Sequence, residues 1–499
     1  MLSTKILQEK LAANLIPFLA HKVNTSLLWS GPETESIAAM QDACSYMIQP
    51  GSPAASRVFL AERYGGRGLQ RNGGGARCGI FGEYQVKGIG ANPLVGKGTS
   101  WQHANGTLGV TEAIYEAIWG EILDEVLPFG AVKVQAILLT DRYIHDVPEE
   151  TTVSDRRALL VRSPAIRPAH FERAPYFRPK EEFSGQLMHD ARRVRAVISH
   201  LPLCLPQPEC GYSPEAKNSP EVQCIEGLCE LARRLAWQLA YCRTRFLKIT
   251  TSPSNVAIDG RLLDFNGLGC LFPTDNVYDF GYQLRLKEMM KEPAILRKGL
   301  TDLTVYLGKY LYGVDFSLHA SQQIQKMFVQ TFELACLHGY LSLLGIDFDE
   351  TVSLNTVPEA FKDLVTRFLQ LLANQRHHFC DRTSEEQSPT MLERVVLQLY
   401  GEIQDKKLQN NRCFQQLQRC LLAVRPFIKK SDSELAHLGL LRLQPRPNLH
   451  KLQMFSEINQ LLACYVHDEP ALYKALSNMV ADKKAFARDA LGTIATKGF

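Results

Sequence analysis

Between residues 60 and 108 glycine crowds the chain, at 65, 66, 68, 73, 74, 75, 79, 82, 88, 90, 96 and 98, and only short strand-like pieces such as Tyr84-Gln-Val86 lie between. Such a segment suits tight turns between strands rather than a helix. The pattern then switches. Thr111 to Leu127 sets Ile114, Ile118, Ile122 and Val126 four residues apart with acids between them, and Pro128 stops it, which predicts a helix. Val132 to Leu139 and Arg157 to Arg162 are apolar runs of strand length. Upstream, residues 1 to about 60 read as helical and then loop-like, with breakers at Gly31-Pro32 and Gly51-Ser-Pro53. Downstream, 183–200 and 221–247 read as helices joined by an exposed Pro-, Cys- and Ser-rich loop at 201–220. Ile258 and Leu262-Leu263 flank Asp259-Gly260, the signal of a type I′ hairpin turn. From about 281 onward the pattern is amphipathic helix, near 283–312, 318–345, 355–374, 390–428 and 449–495. The expected fold class is α+β, divided at 1–60, 61–180, 181–300 and 301–499.

Composition narrows the function classes. A formal net charge of +4 with 22% charged residues, and no basic face interleaved with aromatics, argues against nucleic acid as partner. Lys5, Glu9 and Lys10 interrupt the N-terminal apolar residues as they would in an amphipathic helix, and no apolar run approaches the roughly 20 residues of a membrane span. A cytoplasmic location with no membrane span is expected. The 13 cysteines lack a repeating framework, and Cys204, Cys210, Cys224, Cys229 and Cys242 lack paired CxxC spacing, so buried thiols are favoured over zinc. Arg376-His-His-Phe-Cys-Asp381 invites a metal reading, but adjacent histidines point to different faces, which favours a solvated or partner-facing segment.

Chemistry concentrates in a few places. Asn255 and, nine residues on, Asp264 bracket the Asp259-Gly260 turn and offer hard oxygen ligands for Mg²⁺ or Mn²⁺. Lys87 sits on a strand, where its ammonium can reach ATP phosphates, and Glu116 on the next helix can orient it, with Glu121 as runner-up. Arg162 and Arg167 bracket Ser163-Pro-Ala-Ile166 after a strand and offer bidentate phosphate contacts. Each alone is weak: lone acids and arginines are usually surface residues, Asn and Asp favour turns, and the run Gly73-Gly74-Gly75 before Arg77 is as common in loops as in phosphate cradles. Their order along the chain matches a bilobal protein-kinase-like fold, with a β-rich N-lobe carrying one long helix, a helical C-lobe and a large all-helical C-terminal extension. The position just before the asparagine, where that fold can keep a proton-accepting aspartate, is Ser254.

These phrases resemble the selenoprotein O family of kinase-fold enzymes, which transfer AMP rather than phosphate. The resemblance is carried by Gly74-Gly-Ala-Arg77, Val86-Lys-Gly-Ile-Gly90, Asn105-Gly106 before Ile114-Tyr-Glu116, Arg162 with Arg167-Pro-Ala-His-Phe-Glu172, Pro253-Ser-Asn255 and Asp264-Phe-Asn266. It covers residues 60 to 280 in ordered pieces. It implies that Lys87, Arg162 and Arg167 hold phosphates, that Gly74, Arg77, Asn105 and Gly106 lie along the nucleotide, and that Asn255 and Asp264 bind the metal. It also implies an ATP reversed relative to kinases, with the α-phosphate open to attack. The chain departs from the family at Gly75-Ala76, Asn105 and Ser254. Tyr84-Gln-Val-Lys-Gly-Ile-Gly-Ala-Asn-Pro-Leu94, Glu112 to Ile122 and Arg167-Pro-Ala-His-Phe171 are similar to a branch that matures siderophore-bearing microcins. There, such a protein acts with a small acyltransferase-like partner to join a catecholate siderophore to the carboxyl end of a ribosomal peptide.

Ser254 bears on mechanism. A hydroxyl acceptor needs its proton removed, so losing the aspartate costs typically ~10² to 10⁴ in rate, whereas a carboxylate is already ionised. The expectation is an ATP- and Mg²⁺-dependent adenylyltransferase acting on a peptide carboxylate. AMPylation of Ser, Thr or Tyr hydroxyls on a protein acceptor and a nucleotide-binding pseudokinase scaffold are the alternatives.

Overall fold

The computed structural model describes residues 2–34, 36–66, 71–144, 156–272, 280–347, 359–374 and 390–493. Its N-terminal part is built on eight strands: β1 Leu15–Lys22, β2 Thr25–Ser30, β3 Tyr46–Met47, β4 Ser56–Glu62, β5 Cys78–Phe81, β6 Tyr84–Lys87, β7 Val134–Tyr143 and β8 Arg156–Arg162. They form one antiparallel sheet in the order β2-β7-β8-β6-β5-β4-β1-β3. The first strands differ from the loop-like reading of residues 15–30. The run Leu15-Ile-Pro-Phe-Leu-Ala buries Ile16, Phe18 and Ala20 by period two. Pro17 is tolerated because β3 pairs β1 only at His21 and Lys22, so β1 is an edge strand where the proline sits.

Strand alternation sorts side chains onto two faces. Ala136, Leu138, Leu159, Val161 and Val86 enter one core, while Ile137, Leu139, Ala158 and Leu160 enter a second. Helix α1, Val110–Val126, lies on that second side, and Ile114, Ile118, Ile122 and Val126 are all buried. Each such side chain contributes about 1.5–3 kcal/mol on burial, which outweighs the weak local propensity of a helix rich in isoleucine. Leu127 ends it in extended geometry, as the residue before Pro128 must.

The rest is helical, apart from short pieces such as the two-stranded pair Leu247–Lys248 and Gly269–Cys270. It includes α2 Asp190–Val197, α3 Pro220–Thr244, α4 Phe280–Leu307, α5 Val314–Leu343, α6 Lys451–Cys464 and α7 Glu469–Leu491. Helices α3 and α5 cross closely at Gly339, where a Cβ would lie 2.2 Å from the Thr244 hydroxyl. The buried Arg245 guanidinium ties the crossing to the C-terminal end, donating to the carbonyls of Gly339 at 2.8 Å and Leu491 at 2.6 Å. Helix α7 then returns to pack on α1 and β2. The helical region therefore shares one continuous core with the sheet side, and position 300/301 falls inside α4. The loop at 201–220 contains two short helices, Leu201–Cys204 and Pro214–Asn218. No described helix is long and apolar enough to cross a membrane.

The expected type I′ turn is corrected. Gly260 is at φ +98, but Asp259 is not in the left-handed region that type I′ requires at both central residues. Gly260 N–H instead donates to the Ala257 carbonyl at 3.0 Å, and Ala257 N–H to Arg261 at 2.8 Å. A single bridge, Val256 to Leu262, replaces the expected ladder. The segment Arg376–Asp381 lies outside the described residues.

Candidate active site

A cleft of about 940 Å³ opens between the sheet and α4, in the size range of small-molecule sites. The sheet supplies its floor by alternation. Gln85 and Lys87 are two apart on β6, Leu160 and Arg162 two apart on β8, and the register opposes Gln85 to Arg162 and Lys87 to Leu160. Gln85, Lys87 and Arg162 therefore share the face that looks toward α1, where Glu116 is buried. Lys87 Nζ lies 2.6 Å from Glu116 Oε2, and Arg162 Nη1 lies 3.3 Å from Glu116 Oε1. Glu121 faces elsewhere and pairs with Lys484 of α7 at 3.3 Å.

Asp264 is the point of convergence. Its Oδ1 takes Lys87 at 2.9 Å and Arg162 at 3.1 Å, and its Oδ2 takes Arg167 at 3.0 Å. Three cations against two carboxylates leave the cluster with a net positive charge. Burial alone would raise the Asp264 pKa, but the charges of Arg162, Lys87 and Arg167 outweigh it and hold the carboxyl well below the usual range. The residue sits at φ +65, a left-handed conformation that few non-glycine residues adopt and that recurs at functional sites. Arg167 also donates to the Ser254 carbonyl and stacks on Tyr64, 4.9 Å from the ring centre. Its Nε–H has no acceptor among the described residues.

The loop 250–255 forms the facing wall. Ser254 is buried, its hydroxyl 2.7 Å from that of Ser252. Asn255 donates to the Thr250 carbonyl at 2.7 Å, which leaves Oδ1 with only a 3.4 Å contact from the Ser254 hydroxyl. Among the described residues no group of three or more His, Cys, Asp or Glu is placed to hold a metal. Asn255 and Asp264 both line the cleft, Asp264 with both oxygens held by Lys87, Arg162 and Arg167.

The glycine segment borders the cleft with Gly74, Gly75, Arg77 and Gly106. Two of these glycines are demanded by packing itself: a Cβ on Gly74 would lie 2.1 Å from the Glu62 carbonyl, and one on Gly106 2.1 Å from Ala91 N, at φ +72. The Arg77 guanidinium donates to the Thr107 carbonyl at 3.1 Å. Asn105 does not line the cleft; its Oδ1 accepts from Thr107 N–H at 2.8 Å and closes a local turn. Cys78 lines the cleft, but burial pushes its thiol up, away from nucleophile chemistry.

Three residues escape sequence reasoning. Glu62 ends β4 and reads as an ordinary strand-end acid, yet it is 1% exposed and bonded to Gln85. His170 sits inside the phrase Arg167–Glu172, and its Nδ1 accepts from Arg167 N–H at 2.9 Å. Lys451, on α6, donates to the Asn266 carbonyl at 2.7 Å, two residues past Asp264. No local pattern signals the first or the last. No family model and no curated protein matches the chain.

Proposed function

We propose that this chain is an ATP- and Mg²⁺-dependent adenylyltransferase on a kinase-like bilobal fold, which activates a peptide carboxylate as its acyl-adenylate. The observation that carries the reading is the convergence of Lys87, Arg162 and Arg167 on Asp264 beside a glycine-bordered cleft, with a hydroxyl at position 254. A strand lysine held by a helix glutamate is the arrangement that positions nucleotide phosphates in kinase-like sites, and it supports that fold reading.

In this reading Lys87, Arg162 and Arg167 bind the polyphosphate and fix the α-phosphorus in line with the acceptor. Glu116 holds Lys87 and Arg162 in place. Asp264 and Asn255 would hold a Mg²⁺, which would neutralise phosphate charge. The acceptor carboxylate oxygen forms a bond to the α-phosphorus as the bridge to the β-phosphate breaks, giving acyl-AMP and pyrophosphate. No proton moves, so Ser254 is sufficient where a hydroxyl acceptor needs a base. The likeness to the microcin-maturing branch supplies the acceptor class, a ribosomal peptide, and the co-reactants: an acyltransferase-like partner and a catecholate siderophore.

AMPylation of protein hydroxyls is the second reading, and one observation favours it: Glu172 and Asp302 also line the cleft and are carboxylates that can accept a proton. Incubation with Mg²⁺, α-labelled ATP and peptide, with and without hydroxylamine, separates the two. Label intercepted by hydroxylamine and abolished by Asp264→Ala supports carboxylate activation. Label stable to hydroxylamine supports hydroxyl transfer, and tight binding without transfer supports a pseudokinase scaffold.

A further inference from the structure

We infer that Glu62 is the positioning residue of the arginine clamp, a buried carboxylate that orients Arg162 and Arg167 together and so sets the preference of the cleft for a polyphosphate over an uncharged nucleoside. The inference rests on the reading of the cleft as a nucleotide site. Glu62 does not line the cleft and acts through its neighbours.

Its two oxygens serve the two arginines separately. Oε2 accepts from Gln85 Nε2, and Gln85 Oε1 accepts from Arg162 Nε at 2.7 Å. The Gln85 amide is thereby fixed in one orientation, oxygen to the arginine and nitrogen to the acid. Oε1 faces His170 Nε2 across 3.5 Å, and neither atom has a hydrogen-bond partner among the described residues, so this arm is a contact rather than a bond. Because His170 Nδ1 accepts the backbone N–H of Arg167, the neutral ring carries its proton on Nε2, facing Glu62. The ring thus braces the turn from which the Arg167 side chain departs. The Glu62 backbone holds a third part, since its carbonyl accepts from Gly75 N–H at 2.9 Å, with Gly74 packed against it. One residue ties both arginines to the glycine loop. A buried carboxylate so placed also offsets some of the positive charge that the clamp concentrates.

Replacing Glu62 by glutamine keeps the shape but sets an amide N–H against either Gln85 or His170, both donors. The test is isothermal titration of ATP and of adenosine, each in excess Mg²⁺, against the wild type, Glu62→Gln and Gln85→Leu. The last variant cuts only the Arg162 arm and keeps the test decisive if Glu62→Gln does not fold. The wild type is expected to prefer ATP. Glu62→Gln should weaken ATP about tenfold, the size of one misaligned charge-assisted hydrogen bond, and leave adenosine within about twofold. Gln85→Leu should give a smaller loss in the same direction, and the double variant should bind like Glu62→Gln. ATP binding unchanged in the variants, or equal losses for ATP and adenosine, overturns the positioning role while the nucleotide reading stands. A wild type that binds adenosine as tightly as ATP overturns that reading and the inference with it.

Discussion

Asp264→Asn changes one charge at the centre of the cleft and little else, since asparagine fits the same outline and tolerates the left-handed backbone equally well. The carboxylate holds three cations within 3.1 Å. Once it is gone, Glu116 still serves Lys87 and Arg162, but Arg167 keeps only the Ser254 carbonyl and the Tyr64 ring. Breaking a buried ion pair by removing one partner costs about 3–5 kcal/mol. The Asp264 side chain is 21% exposed, so water offsets part of this, leaving about 3 kcal/mol. An unfolding entropy of about 2.1 cal/mol/K per residue, over 499 residues unfolding as a unit, converts this to a fall of about 3 °C in Tm. Lys87 and Arg167, which line the cleft, and Arg162 buried behind them then lack the Asp264 charge, so pyrophosphate should bind the variant more tightly than the wild type and restore about 2.7 kcal/mol at a hundred times its Kd. Differential scanning fluorimetry in EDTA, with and without pyrophosphate, measures both effects. The depressed pKa adds a pH check: the Asp264 contribution is fully present above the unfolded carboxyl value of about 3.9 and is lost only as pH falls through the lower native value. The gap should therefore be flat from about pH 5 to 8. Equal melting of the two proteins, or a gap that pyrophosphate does not narrow, refutes Asp264 as the internal counter-ion of a phosphate clamp.

Two further outcomes follow from groups outside the clamp. Burial pushes the Glu292 carboxyl on α4 up to about 8; its Oε2 accepts Ile249 N–H at 3.3 Å and its Oε1 has no acceptor or donor partner among the described residues. The native state thus keeps this proton over the range from about pH 4.3 to 8 in which the unfolded chain loses it, so this group makes stability fall as pH rises. Glu292→Gln should melt higher than the wild type at pH 8 and show a much smaller gain at pH 5; the same difference at both pH values contradicts the assignment. The Lys451 ammonium lies 5.4 Å from the Tyr115 ring centre and 5.1 Å from that of Phe455, and bonds the Asn266 carbonyl. Lys451→Met keeps the stem and should cost about 1–2 kcal/mol while slowing AMP transfer several-fold; unchanged kcat alongside lowered Tm would make the lysine structural only.

Much of the local structure is written in neighbouring residues. The four-residue spacing from Ile114 to Val126 and the stop at Pro128 specify α1 to within a residue, and the apolar runs at 132–139 and 157–162 specify β7 and β8 to within a few residues. Residues 15–30 were not legible as strands because a six-residue apolar run containing proline carries no decisive period, and only pairing of β1 with β4 along seven positions settles it. The Asp259-Gly260 turn was visible as a turn, but its type depends on the conformation of Asp259, which the dipeptide does not dictate. Asn105, a nucleotide contact by resemblance, closes its own turn instead.

The site divides in the same way. Lys87, Glu116, Arg162, Arg167, Ser254, Asn255 and Asp264 could be named from residue type and order alone, because strand, helix and loop contexts are local. Their meeting could not, since Lys87 and Asp264 are 177 residues apart and Arg167 and Asp264 are 97 apart. Local sequence determines which face of a strand or helix a side chain takes; it carries no record of what the opposite wall supplies. Tertiary packing alone turned Glu62 into a hub, chose Glu116 over Glu121, and brought Lys451 from the far end of the chain beneath the loop that follows Asp264, because burial and pairing of charge are decided by what surrounds a residue in space.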